Sequence, residues 1–265
     1  MTRHRRRRLK LRSLYVWHRW LGVAAALWVV VLSLTGIALN HTEELALDAT
    51  PVEWSWLQDA YGIRSPVEVP AFRAGGRWVS QWGDRIYLDA RPAGRLGGPL
   101  RGALEVDGII AAAGDNEILL LTPAGERVEL LGPAHGVPAG IAALGRGPGG
   151  RPVVRAAHGL YVSDREFTAW RHLDAGAVRW SDPAPLPAAL HEAIAPAYRA
   201  GLLSAERVLL DLHSGRLLGR AGVWLSDAAA VILVVLALSG TFLWSRQIRR
   251  RRAGDRRQRT EDRSP

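Results

Sequence analysis

Two long, mainly apolar runs, Trp20 to Asn40 and Trp224 to Trp244, stand near the ends of a chain whose middle alternates short apolar stretches with polar turns. At ~1.5 Å rise per residue, 21 residues make a helix of about 31 Å, which matches a hydrocarbon core of ~30 Å. Both runs therefore read as transmembrane helices. They align without a gap at an offset of 204 residues and share 11 of 21 positions. The shared positions include the Trp-Leu starts (Trp20-Leu21, Trp224-Leu225) and the ends Leu34-Thr35-Gly36 and Leu238-Ser239-Gly240. If the two helices cross in opposite directions, this is an inverted repeat.

Between residues 78 and 173 the pattern changes period. Three stretches, RWVSQWGDRIYLDA, IIAAAGDNEILLLTPAGERVELLG and RPVVRAAHGLYVSDREFTAWRHL, each set an apolar run, a turn and a second run in series. The turns fall at Gly83-Asp84, Gly114-Asp115-Asn116 and His158-Gly159, so the stretches predict three degenerate hairpin repeats. Three repeats suit a β-meander or an incomplete propeller-like sheet better than a closed propeller. The run GRGPGGRP, residues 145–152, lacks the Lys-Ser/Thr of a phosphate loop and reads as a turn. Leu190, Ile194 and Ala197 predict a helix broken at Pro196, and RVLLDLHSGRLLG (Arg207 to Gly219) predicts strand, Ser-Gly turn and strand. Between the first span and the repeats lies the Trp-rich PVEWSWLQDAYGIRSP, expected near the headgroups or packed on the domain.

The formal net charge of +10 is concentrated at the ends: residues 1–12 carry +7 and residues 246–265 carry +6, leaving −3 between them. Basic flanks lie on the cytoplasmic side, so both termini are expected inside and the central domain outside. This makes the arginine runs topology signals and contacts to anionic lipid, and argues against a nucleic-acid partner. There is no cysteine, and Met1 is the only methionine. That excludes disulfides, CxxC redox chemistry, covalent haem attachment and iron–sulfur ligation, and it is compatible with an oxidising compartment. The expected layout is a membrane α plus β protein: basic tail 1–13, transmembrane helix 14–40, β-rich periplasmic domain 41–219, transmembrane helix 220–245 and basic tail 246–265. The first span is too long for a signal-peptide core and reads as an uncleaved anchor.

WHRWLG (Trp17 to Gly22) followed by LTGIALNH, and LDLHSGRLLG (Leu210 to Gly219) followed by a helix ending in LSGTFLW, resemble the PepSY-associated transmembrane family of bacterial inner-membrane proteins. Larger relatives with four or more spans include reductases of ferric siderophores that carry b-type haem between histidines. PepSY modules elsewhere accompany peptidases as inhibitory or regulatory units. The resemblance thus implies an inner-membrane protein accessory to iron- or siderophore-linked redox or transport, and this chain departs from those relatives in having two spans.

His18, His41 and His213 are the candidate haem ligands. His18 and His41 lie 23 residues apart, roughly 35 Å along a helix, so they cannot share one haem. A bis-histidine haem needs either His41 with His213, or His18 from two subunits of a four-helix homodimer. A metal site from His41, Glu44, Asp211 and His213 is a further arrangement, with Asp211 and His213 on one face of a strand. Asp227 is expected at the N-terminus of the second span, where the helix dipole favours a carboxylate. Gly22, Ala26, Gly36 and Ser239-Gly240 are expected to let helices approach closely. No nucleophile elbow, HExxH, dinucleotide fingerprint or P-loop is present. Two functions follow: electron transfer across the membrane to a periplasmic ferric complex, or a non-enzymatic scaffold or regulator that binds a protein or peptide through the periplasmic domain. Either works as a homodimer or beside a membrane-protein partner.

Overall fold

Long apolar runs flanked by arginine form helices that extend well beyond the runs themselves. In the computed structural model, which describes residues 2–174 and 176–261 with side chains from Tyr15 to Arg249, α1 covers Thr2–Asn40 and α5 covers Gly219–Glu261. The side chains of both basic tails beyond those limits lie outside the described residues. Tyr15–Asn40 and Arg216–Arg249 are long and apolar enough to cross a membrane, and most of each is exposed on the protein. The chain forms two compact units, residues 1–52 with 203–265, and residues 53–202.

In the first unit α1 packs against α5 and against α4 (Ala205–His213). Residue 18 of α1 meets residues 239 and 240 of α5, so the two helices run antiparallel. Their contact is made by few side chains, with Ala25, Thr35, Ala229 and Leu243 buried. The chain leaves and re-enters this unit side by side, through a bridge between Pro51 and Ser204 and a bond from the Val52 amide to the Leu203 carbonyl.

Residues 207–219 do not form the expected strand–turn–strand. Ser204 caps α4 by accepting from the Arg207 amide at 3.3 Å, Gly215 turns the chain in the left-handed region, and a short 3₁₀ turn (Arg216–Leu218) leads into α5. The physical reason lies in RVLLDLH, where only Val208 is β-branched, while leucines and an Arg207–Asp211 pair at i,i+4 favour a helix once a serine caps it.

The second unit holds α2 (Ser55–Ala60), three antiparallel sheets and α3 (Ala188–Ala200). The first sheet is β1 (Ala71–Ala74), β2 (Arg77–Trp82), β3 (Arg85–Leu88) and β4 (Arg91–Arg95) in sequence order. The second is β5 (Gly102–Val106), β6 (Ile109–Ala113), β7 (Ile118–Leu121) and β8 (Arg127–Leu131), again in order. The third contains β9 (Ala143–Arg146), β10 (Pro152–Ala156), β11 (Gly159–Ser163) and β12 (Trp170–His172), with β13 (Arg179–Trp180) added beside β9. Each predicted hairpin is thus the middle of a larger meander, and the sheets do not close into a barrel. Tight β1–β2 and β5–β6 turns place Gly75-Gly76 and Asp107-Gly108 at positive φ, as two-residue hairpins of the primed type require.

Strands β1, β5 and β9 lie side by side where the three sheets meet. Gly102 makes this possible, since a Cβ there would come within 3.1 Å of the Leu144 backbone nitrogen. Residues 179–184 then stitch the sheets together. Trp180 pairs with Gly145 of β9, Ser181 exchanges hydrogen bonds with Ala103 of β5, and the Ala184 amide donates to Ala71 of β1. One core (Val79, Ile86, Ala112, Leu121) lies between the first and second sheets, and a second (Ala111, Ile118, Leu144, Phe167) between the second and third. A smaller one joins Trp82 and Tyr87 to Ile194 of α3. That helix continues through Pro196, whose missing N–H falls on the exposed side of residues 192 and 193.

Candidate functional site

The motifs that flank the two spans meet in pairs. His18 lies near the start of the apolar part of α1, and its Nδ1 is 2.8 Å from the Ser239 hydroxyl of α5. The ring also covers Gly240, where an added Cβ would sit 3.4 Å from His18 Cε1. At the other end, His213 is the last residue of α4, with Nδ1 2.8 Å from the Thr35 hydroxyl of α1 and Cε1 3.4 Å from an added Cβ on Gly36. Each histidine therefore rests on the hydroxyl–glycine pair of the opposite span, and those two pairs are the ones related by the 204-residue offset. A larger side chain at either glycine would push the ring away.

With both hydroxyl protons turned to the helix carbonyls, one tautomer follows. Thr35 has one hydroxyl proton and donates it to the Val31 carbonyl at 2.7 Å, so it accepts from His213 Nδ1–H. Ser239 donates to the Leu236 carbonyl at 3.2 Å and accepts from His18 Nδ1–H. Neutral imidazoles held this way carry the lone pair on Nε2, and neither Nε2 makes a hydrogen bond among the described residues. Both rings are half-buried.

His41 follows the end of α1 in an exposed turn, where its Nδ1 meets the Glu44 carboxylate. Asp211 is buried at 4% exposure and is held by Arg207 at 3.0 Å and Arg216 at 3.2 Å. It shares a helix with His213, and two residues apart on a helix is about 200°, which puts them on opposite faces rather than on one face of a strand. Asp211 instead ties Arg216, beyond the Ser-Gly turn, back to α4. No group of three or more His, Asp or Glu able to hold a metal occurs among the described residues. Asp227 lies eight residues into α5 and is exposed, not at the helix N-terminus, because that helix begins upstream at Gly219. Gly22 faces open space, whereas Gly36 and Gly240 accommodate histidine rings rather than a neighbouring backbone. The structure thus brings His18 and His213 to Ser239 and Thr35, which the sequence pattern marks as recurring positions and not as histidine partners. Their recurrence in the Leu-Thr-Gly and Leu-Ser-Gly ends was the signal for them.

Trp54 and Trp56 stack on one another, with ring centroids 6.2 Å apart, and stay exposed while Leu57 and Gln58 turn inward. Beside them, α2 and α3 border a cavity of about 550 Å³ lined by Glu53, Gln58, Ser65, Pro196 and Arg199.

No curated protein matches the chain. A solved structure, the crystal structure of HIRA(644-1017), aligns at 10% identity and a TM-score of 0.25, covering 62% of this chain and 72% of that one. The family model described as the PepSY-associated TM region matches residues 151–264, which include α4, the Ser-Gly-Arg turn and α5. Together with the two apolar helices, this match supports a membrane protein whose residues 151–264 are similar to the PepSY-associated TM region.

Proposed function

We propose that the protein is an inner-membrane accessory to iron- or siderophore-linked redox or transport, acting as a homodimer that holds b-type haem through histidines in and beside its spans. The observation that carries this reading is the pair of Nδ1–hydroxyl bonds, which leave Nε2 of His18 and His213 in the form a metal accepts. His41 is the third candidate ligand, with its Nδ1 likewise occupied, by Glu44. A single chain does not fit a bis-histidine haem at its two latched sites: His18 and Thr35 are 17 residues apart on α1, about 25 Å, and His213 sits at Thr35. A second copy fits, because it would bring a second imidazole to each site. It would also cover half-exposed ionisable rings, which are costly to leave against lipid. Haem held there would supply a one-electron couple.

The arginine-rich flanks support cytoplasmic termini and a periplasmic central domain, and the reciprocal histidine contacts support the inverted repeat. The decisive test is a reduced-minus-oxidised visible spectrum of the detergent-purified full chain, expressed with adequate haem, read beside its oligomeric mass. Sharp b-type bands lost in His18→Ala or His213→Ala are the expected result. An assembled but colourless protein would refute the haem. It would leave the second reading, a membrane scaffold or regulator that binds a protein or peptide, for which the exposed Trp54–Trp56 stack and the neighbouring cavity speak.

A further inference from the structure

At one end of the junction between the three sheets, a cavity of about 180 Å³ is walled by residues of four strands and the stitching segment. Its charged lining is uneven: Arg73 from β1, Arg146 from β9 and Arg179 from β13, against the single acid Glu105 from β5. Among the described residues none of the three arginines is ion-paired, whereas Arg77, Arg101, Arg165 and Arg199 of the same unit all are. Arg146 and Arg179 are also direct cross-strand partners. Like charges opposite each other weaken an antiparallel pair, so this arrangement costs stability that no ion pair among the described residues offsets.

The facing pair Arg85 and Arg95 shows how such a cost is met elsewhere in this unit. Arg95 reaches Asp84 at 3.4 Å, and Arg85 donates to the Gly201 carbonyl at 2.7 Å. At the junction, Arg146 donates, among the described residues, only to the backbone carbonyls of Glu105 and Gly150, which fixes its guanidinium in the cavity wall without neutralising it. Arg73 lies over the Trp78 ring at 5.5 Å, a contact that leaves its in-plane donors free. The Glu105 carboxylate is held down against Gly75, in space that a Cβ would occupy.

We propose that this cavity binds a small oxyanion, a carboxylate or phosphate group whose charge offsets the three guanidiniums. The fork of an arginine matches the oxygens of either group, and arginines from three separate strands border a volume suited to one small molecule. The half-buried Trp180 lines the same cavity and supplies an apolar face. This proposal is independent of the haem reading, since it concerns the central domain and none of its residues lies in the spans.

The test uses the full chain in detergent, titrated with citrate and with inorganic phosphate and followed by calorimetry and thermal unfolding. Arg179 makes no side-chain hydrogen bond or ion pair among the described residues, so Arg179→Gln is the clean variant. Arg73→Gln is a second one on a different strand, and Arg77→Gln is the control. The expected result is an anion-dependent rise in Tm for the wild type and Arg77→Gln, with affinity about tenfold weaker in Arg179→Gln and in Arg73→Gln. In the absence of anion, Arg179→Gln should unfold no earlier than wild type, because it removes a like-charge pair. Equal binding in wild type and both cavity variants would assign the anions to the basic tails and overturn the proposal, as would no binding by the wild type. Added phosphatidylglycerol that competes with citrate in the wild type would identify a lipid headgroup as the source, and failure to compete would identify a free anion.

Discussion

Gly145 is where the stitching segment meets the third sheet, and Gly145→Ala tests whether that contact holds the central domain together. A Cβ at this position would stand 2.8 Å from the Arg179 carbonyl oxygen, 2.8 Å from the Trp180 ring and 2.8 Å from a Val178 methyl. Two of the three are side chains able to shift, but the carbonyl belongs to the backbone paired with β9. Relief therefore requires β13 to withdraw from its register, Arg179 opposite Arg146 and Trp180 opposite Gly145. Overpacking of this kind costs about 1–3 kcal/mol, and losing two ladder bonds at about 1 kcal/mol each gives a similar figure. For a unit of this size, 1 kcal/mol moves Tm by roughly 2–4 °C, so a loss of about 2 kcal/mol lowers it by roughly 4–8 °C. Intrinsic tryptophan fluorescence during heating is the assay, since Trp180 is itself displaced. Gly132→Ala is the control, because nothing lies within 4 Å of its added Cβ and its φ of −132° suits any residue. A Tm for Gly145→Ala within about one degree of the control would refute the claim that residues 179–184 clamp the three sheets.

Thr35→Val removes the hydroxyl that fixes His213 while keeping its shape, and Ser239→Ala does the same for His18. Each should cost about 0.6–2 kcal/mol, and ¹⁵N-histidine spectra should show Nδ1–H replaced by a mixture of tautomers. Phe167→Ala empties a fully buried site between the second and third sheets and should cost about 3–5 kcal/mol, read as an early unfolding transition. Burial opposes ionisation of Asp164, and hydrogen bonds from Thr168, the Ala169 backbone and Ser163 outweigh it, so the carboxyl titrates below its ordinary 3.8. A carboxyl depressed on folding stabilises fully above its unfolded value, and the contribution is lost as pH falls through the folded one. Asp164→Asn should therefore lose more Tm relative to wild type at about pH 5 than at about pH 3. An equal loss at both pH values would mean that the carboxylate charge contributes nothing.

The middle strands of each sheet were legible because turn residues mark them: Gly83-Asp84 between β2 and β3, Gly114 to Asn116 between β6 and β7, and His158-Gly159 where the chain turns into β11. The strands nearest the junction were not. GALEV and ALGR carry glycine and alanine, which are depleted in strands, and RW is too short to show a period. Those residues are there because β5 and β9 run almost in backbone contact and Trp180 lies across Gly145, so small side chains are a demand of tertiary packing. A window of single sequence contains nothing about such a neighbour.

The same distinction explains why only half of the membrane site was visible. Histidine next to a span is conspicuous by its chemistry, so His18 and His213 stood out, whereas threonine, serine and glycine are ordinary in apolar helices. What marks Thr35-Gly36 and Ser239-Gly240 is recurrence at the same place in two antiparallel helices. That recurrence has a physical cause only if each helix receives something of the same shape. Reading residues 207–213 as a strand concealed it, because a strand would carry His213 along an edge instead of ending in a tight turn against α1. As a helix, α4 is held by the Ser204 cap at its start and by the Asp211–Arg216 pair across the turn at its end. The turn itself is equally constrained, since a Cβ on Gly215 would strike the Gly222 carbonyl of α5 at 2.3 Å. The cap, ion pair and glycine together fix where α4 stops, and its stopping point is what sets His213 over Gly36.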